Sequence, residues 1–467
     1  MHRRAGQPED CGGLLRRSRR RTLILILVIA SVIWSRPLIS FLQFPAQVRL
    51  SESQTRELHP GLPFVTARAG ENRVLSIEPA KVGTNAFYGA PVSLRALAEG
   101  KVTVEFKLFG RIPVRKITVE VVPRLMLSLG GHSIGVLLQA DGVIVTRTSL
   151  VQDDAGNSWS PARTAGVLPG DVITKVDGQS IHSEEALAQA LDEAGRQGRH
   201  AVLDIKRGKA VFTRPVKPVL CRETKRYRIG LYVRDGAAGV GTLTFFDNET
   251  HRFAALGHII TDGETGTPVS VYNGRIVRAQ VTGIEEGKKG KPGEKLGVFV
   301  QESDVIGSID ANTEFGIGGT LYHELKNPAY DQPLPMALAS EVVEGPASMV
   351  TVVEGQRLEM FDVIIQKVSY QSRPQSKGMV IKIVDQRLLS RTGGIIQGMS
   401  GSPIVQGGKV VGAITHVLVN DPTRGFGVFA EWMVETTGIW PRASKSAGRA
   451  IGAQRLVLTN CGENFSG

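Results

Sequence analysis

The segment Gly398-Met399-Ser400-Gly401-Ser402-Pro403 combines the features that let a hydroxyl act as a nucleophile. Small neighbours allow a sharp turn that exposes the serine, and they let a substrate carbonyl approach backbone N–H groups. A base must also lie within reach. The segment Ala254-Ala255-Leu256-Gly257-His258-Ile259-Ile260-Thr261-Asp262 supplies a candidate in His258, at the end of a small-residue turn and upstream of Ser400. Taken alone, His258 could equally be a satisfied core histidine, and the hexapeptide could be a plain Gly/Ser turn between strands. Together they pair a candidate base with a candidate nucleophile, His258 preceding Ser400 in the chain. A second histidine, His416, follows Ser400 by a stretch of strand and turn that is expected to carry it away from the site.

The hexapeptide resembles the GDSGGP segment of trypsin-like peptidases, which implies an oxyanion hole formed by the N–H groups of Gly398 and Ser400. For the acid that would orient the base, residue types alone leave Asp262, Asp304, Asp310, Asp362 and Asp385 open. Asp262, four residues after His258, could instead bond the backbone N–H groups of its own turn.

These residues need elements to position them. The chain has 467 residues, 42% hydrophobic and 21% charged, which gives it a globular composition with room for two or three cores. Aromatics make up 6% while glycine reaches 54 residues, a balance that suits short strands and tight turns. From 219 to about 440, strands such as Gly239 to Phe245, Met379 to Val384 and Lys409 to Ile414 recur without long helices, predicting a barrel or a pair of barrels. Residues 46–123 alternate, as in Val102 to Leu108 and Ile117 to Val122 with Phe109-Gly110-Arg111-Ile112-Pro113 as their turn, and predict a small β spacer unit.

Residues 124–218 resemble a PDZ domain, through Ala165-Gly166-Val167-Leu168-Pro169-Gly170-Asp171-Val172-Ile173, the Asp177-Gly178 turn and a helix from about Glu184 to Ala194. The likeness implies a peptide ligand, and Ser133, Ile134, Gly135 and Val136 are expected to form its carboxylate-binding loop, with free amides at a strand entry.

The net charge of +12 arises partly from Arg3, Arg4, Arg16, Arg17, Arg19, Arg20 and Arg21, opposed there only by Glu9 and Asp10. The body is mildly basic and lacks basic-aromatic interleaving, which argues against nucleic-acid binding. The arginines precede an apolar run, Thr22 to Phe44, which reads as a membrane anchor over residues 1–45 with its amino terminus in the cytoplasm, a cleaved signal peptide being the competing reading. Cys11, Cys221 and Cys461 are too scattered for a disulfide framework or a metal site. After Trp440-Pro441 the periodicity fades, and 441–467 is expected to be a disordered tail.

Beyond these features, Gly257 to Asp262, Lys291 to Gly297, Phe315 to Leu321 and above all Thr392 to Met433 resemble the stage IV sporulation protein B peptidase family. The resemblance implies a membrane-anchored serine endopeptidase with a PDZ domain and a trypsin-like barrel domain, acting without cofactor or metal. It implies substrates of two kinds: the chain itself, and a membrane-bound regulator of an intramembrane protease whose release activates a sigma factor during endospore formation. It places the catalytic domain between the forespore and mother-cell membranes. By matching motif, it makes His258 the base, Ser400 the nucleophile and Asp385 the orienting acid.

Overall fold

The computed structural model describes residues 46–440, apart from 61–64, 71–72, 80–90, 300–303, 370 and 372. The expected anchor and the tail lie outside the described residues. Among the described residues no helix is long and apolar enough to cross a membrane.

The amino-terminal unit is a small pair of sheets. Gly100–Leu108 and Ile112–Val122 form an antiparallel hairpin flanked by Gln47–Ser51 and Val65–Ala69, and Thr55–Leu58, Leu75–Pro79 and Val92–Ala96 form the second sheet. The alternation read from sequence is the alternation of burial: Val102, Val104 and Phe106 are interior while Lys101, Thr103 and Glu105 are not. Phe109 and Gly110 both take positive φ, the geometry a two-residue hairpin turn requires. Arg49 ties this unit to the far end of the chain through Glu431, which is almost fully buried.

In the remainder, fifteen of the strands and four helices position the site. In chain order they are β1 (Ser133–Thr148), α1 (Pro161–Thr164), β2 (Val172–Val176), α2 (Glu184–Arg196), β3 (Ala201–Arg207), β4 (Ala210–Val216) and β5 (Leu231–Phe246). There follow β6 (Arg252–Ala255), β7 (Val271–Glu285), β8 (Val305–Thr313), β9 (Gly316–Leu321), β10 (Gly345–Val352), β11 (Leu358–Val368) and β12 (Met379–Ile383). The last are α3 (Gln386–Thr392), β13 (Pro403–Gln406), β14 (Lys409–Leu418), β15 (Asp421–Phe429) and α4 (Ala430–Thr437).

Two sets of pairings close on themselves. The first runs β5-β1-β7-β8-β9-β6 and back to β5. The second is a closed barrel, β10-β11-β12-β15-β14-β13. Closure satisfies the strand edges apart from the stretch of β5 before Leu243, and each ring is filled by apolar residues such as Ile134, Val136 and Ile276 in one and Met349, Ile381 and Ile414 in the other.

The PDZ region is a sheet ordered β4-β3-β2-β1-β5, with α2 laid across it. Ser183 caps α2 by accepting from Ala186 N, and Leu187, Leu191 and Ala194 line its buried face. Asp171, fully buried, accepts from Leu168 N and from both the Nε and Nη2 of Arg207, a charge-assisted clasp that holds the turn before β2.

Strands β1 and β5 are shared. Their outer halves belong to the PDZ sheet and their inner halves to the first barrel, so the two units are continuous through the backbone.

Candidate active site

The turn carrying Ser400 sits where the two barrels meet. Met399, fully buried, anchors it in the second core, and the neighbouring backbone is tied down bond by bond. Thr242 of β5 donates its Oγ1 to the Gly398 carbonyl (2.8 Å) and its N–H to the Ser400 carbonyl (3.0 Å). Thr244 donates to the Gly401 carbonyl (2.8 Å). Three carbonyls are thereby drawn toward the first barrel. Among the described residues the amides of Gly398 and Ser400 have no hydrogen-bond acceptor. Two such donors beside a serine hydroxyl are the chemical content of an oxyanion hole.

Glycine is required in this turn. Gly401 has φ +93°, and a Cβ there would meet the Thr242 carbonyl at 2.1 Å. Gly398 has φ +89° and lies against the aliphatic stem of Lys295.

His258 follows β6 through Leu256 and Gly257, both at positive φ, which swing the chain out of the barrel wall. Its Nδ1 lies 2.9 Å from the Ile259 carbonyl. A carbonyl can only accept, so Nδ1 carries the proton and Nε2 keeps its lone pair. Burial pushes the imidazole below its ordinary range, keeping it neutral.

Ser400, His258 and His416 line one cleft of about 660 Å³, with Ala237 to Val240 of β5, Leu256, Glu314, Lys377, Gln397 and Gly398. The imidazoles of His258 and His416 stand 5.0 Å apart between centroids. Burial, then His258 and Lys377, depress His416 to about 4. The Ser400 hydroxyl donates to the Thr415 carbonyl at 2.7 Å. Among the described residues no hydrogen bond joins this hydroxyl to either histidine.

Three expectations are corrected. His416 is not carried away from the site: the β13–β14 hairpin folds back over the nucleophile turn, and strand length alone could not reveal that return. Asp385 is not brought to His258. It caps α3, accepting from Arg387 N, Nε and Nη2 and from Asp362 N, and Arg387 holds its carboxyl down to about 2. It does not line the cleft. Ser133, Ile134, Gly135 and Val136 are not a loop with free amides. They lie in β1, paired with Thr242 to Gly239 of β5 on one side, and from Ile134 onward with Arg278 to Ile276 of β7 on the other.

The strand entry beside α2 is instead Arg228-Ile229-Gly230-Leu231, with Gly230 at φ +76°. Tyr227 N donates to Asp192 near the end of α2, and Glu184 N at its start approaches Asp235. The signal in sequence was Ile229-Gly230-Leu231-Tyr232-Val233, a glycine immediately before alternating apolar residues.

Of the other acids, Asp262 binds Glu264 N, Thr265 N and the Thr265 hydroxyl, the turn-organising alternative raised from the sequence. Asp310 pairs with Arg252. Sequence reasoning missed Glu314 and Lys377, which enter the cleft from loops with no motif of their own, and the buried Lys295 behind the turn. Lys295 donates to Thr351 Oγ1 at 2.9 Å, and burial pushes it down to about 7. Among the described residues no group of three acids, histidines or cysteines could hold a metal ion.

Two closed β-barrels with a serine turn and a histidine facing one cleft between them, beside a PDZ unit, define a protein of the serine-peptidase class. Residues 225–434 match the SpoIVB peptidase S55 family and residues 155–207 match the PDZ domain, so the chain carries a domain similar to that peptidase family beside a PDZ domain. Curated relatives include a protein named as a CtpA-like serine protease in Staphylococcus saprophyticus, 35% identical over 91 residues, 20% of this chain and 18% of the relative. A protein of the same name in Staphylococcus aureus is 34% identical over the same shares. One named as a zinc metalloprotease in Clostridium perfringens is 38% identical over 72 residues, 15% of this chain and 21% of the relative. The chain thus spans about a fifth of the length of the curated relatives it matches. Among solved structures, the active form of the Rv3671c protease of M. tuberculosis is 15% identical with a TM-score of 0.25, covering 43% of this chain and 75% of that one.

Proposed function

We propose that the chain is a serine endopeptidase in which Ser400 is the nucleophile and His258 the general base. The observation that carries this reading is the Ser400 turn, its carbonyls pinned by Thr242 and Thr244 and its two outward amides sharing a cleft with a neutral imidazole. A substrate carbonyl seated on the amides of Gly398 and Ser400 is attacked by Ser400 Oγ after it rotates away from the Thr415 carbonyl. His258 Nε2 takes the proton and returns it to the leaving amine, and water then hydrolyses the acyl-enzyme. The Ile259 carbonyl fixes the tautomer, the task a carboxylate performs in a full triad.

A second reading gives part of the proton transfer to His416, favoured by its place in the cleft and by the bond from Ser400 to the adjacent Thr415 carbonyl.

In this proposal the chain is held to a membrane by the apolar run before residue 45, its catalytic body outside the cytoplasm. It cleaves itself and a membrane-bound regulator of an intramembrane protease, in the service of sigma-factor activation during endospore formation. The family match and the sequence of the amino-terminal run support this assignment. The PDZ unit would take a peptide C terminus at the Arg228–Leu231 entry, where glycine frees the backbone for a carboxylate. The competing function is a PDZ scaffold without catalysis.

Labelling with a serine-directed fluorophosphonate separates them. The enzyme takes up the label at Ser400 and releases an amino-terminal fragment on storage, whereas Ser400→Ala does neither. Intact wild-type protein that takes no label and yields no fragment overturns the peptidase reading.

A further inference from the structure

Strand β5 has one side paired and one side open. From Leu231 to Thr242 its neighbour is β1, and the opposite edge has no strand partner among the described residues. From Leu243 onward that open side is taken by β6, which leads into Leu256 and then His258. The open edge therefore starts beside α2 in the PDZ unit and ends at the nucleophile.

At its inner end the atoms mark the direction. Thr242 N donates to the Ser400 carbonyl and Thr242 O accepts from Leu256 N, so the backbone groups of Thr242 face the open side. The pairing with β1 has no irregularity between Gly236 and Thr242, so by the two-residue alternation Val240 and Ala238 present their N–H and C=O groups to the same side. Ala237 to Val240 also line the cleft that holds Ser400 and His258.

At its outer end, Leu231 and Val233 of β5 and Ala186 and Ala190 of α2 are part-buried apolar groups over the PDZ core. The approach, Arg222 to Arg228, carries four basic residues against Glu223.

Resting on the peptidase reading above, we infer that this edge is one continuous docking track for a polypeptide substrate with a free C terminus. The substrate adds to β5 as an antiparallel strand. Its terminal carboxylate sits at the Arg228–Gly230 turn, its apolar last residues lie between β5 and α2, and the chain runs back along Val240 to Ser400. Antiparallel partners advance together residue for residue except at the two irregularities of β5, between Tyr232 and Val233 and between Arg234 and Gly236, so the open edge from Leu231 to Val240 sets the scissile bond about eight to ten residues before the substrate's C terminus. The PDZ unit then acts as a ruler, because the strand that holds the C terminus is the wall of the active site.

The test uses the full-length chain in detergent, with fluorophosphonate labelling of Ser400 run alongside. The probe is a library of peptides of about 25 residues with free C termini and the same library amidated, the cut sites read by mass spectrometry. The expected result is C-terminal products clustered at about eight to ten residues, with kcat/KM more than tenfold lower for the amides. Ala238→Pro, which removes one outward amide at an edge position, raises KM for the cleaved peptides more than tenfold. Labelled enzyme that cuts acids and amides equally, scatters its cuts without regard to the C terminus, or cuts no member of either library overturns the ruler while leaving Ser400 as nucleophile. Absence of labelling overturns the peptidase reading and the ruler with it.

Discussion

Thr242 and Gly398 are joined across the barrel interface by a 2.8 Å hydrogen bond from a fully buried hydroxyl to the carbonyl preceding Met399. The bond clamps the nucleophile turn, on which the Gly398 and Ser400 amides lie, to the opposite barrel, 156 positions away in sequence.

Thr242→Val keeps the shape of the side chain and removes this bond. A buried carbonyl left without its donor costs about 1–3 kcal/mol of stability. Misplacing an oxyanion donor lowers kcat by about 10²-fold with little change in KM. Thr244→Val, which frees the Gly401 carbonyl instead, lowers stability similarly with a smaller loss in kcat. Steady-state kinetics beside thermal denaturation of the two variants checks the difference.

Asp385→Asn keeps a helix cap, so turnover stays within a few-fold of wild type, and Asp385→Ala lowers stability by about 0.5–2 kcal/mol through the lost cap. An acid orienting the base would instead show a loss of about 10⁴-fold in the Asn variant. A turnover assay of Asp385→Asn decides between the two roles.

The acid limb of kcat/KM follows His258, which must be neutral to take a proton. Its pKa is depressed by burial, so the limb has its midpoint below the ordinary histidine value of about 6.5. The same sign governs stability. With His416 at about 4, the folded state binds fewer protons than the unfolded chain below the ordinary value, and stability is lost as the pH falls through that window. His416→Gln reduces that acid loss, as denaturation midpoints at pH 7 and pH 5 would reveal.

Lys295 titrates at the other end. Folding depresses it from 10.5 to about 7, so between those values the unfolded chain binds the extra proton. The Lys295 contribution therefore rises with pH across that window, by up to about 1.4 kcal/mol per unit, and declines as the pH falls toward 7. Lys295→Met lacks this term and gains stability relative to wild type on going from pH 9.5 to pH 7. A wild-type advantage that stays constant over that range would show that the ammonium is accommodated without cost.

Residue types and local pattern were enough to single out the Ser400 turn as a candidate, with glycines placed where only glycine fits. They singled out His258 after a turn of small residues, a hairpin whose turn read as Phe109 to Pro113 although its second strand already begins at Ile112, and α2 from about Glu184. Each is a local matter, written in sterics, capping and period.

What the chain could not declare locally is which distant strands become neighbours. Gly135 has the appearance of a strand-entry loop, yet it is mid-strand because β5 and β7 both pair with it. His416 looked remote from Ser400 until the hairpin folded back. The family resemblance makes Asp385 the triad acid, but Arg387, two residues on, draws its carboxylate to a helix cap. Strand β5 reads as one alternating run with no hint that its outer half serves a PDZ unit and its inner half an active site. Those outcomes depend on pairing energy between segments far apart in sequence, and only the closed barrels decide them.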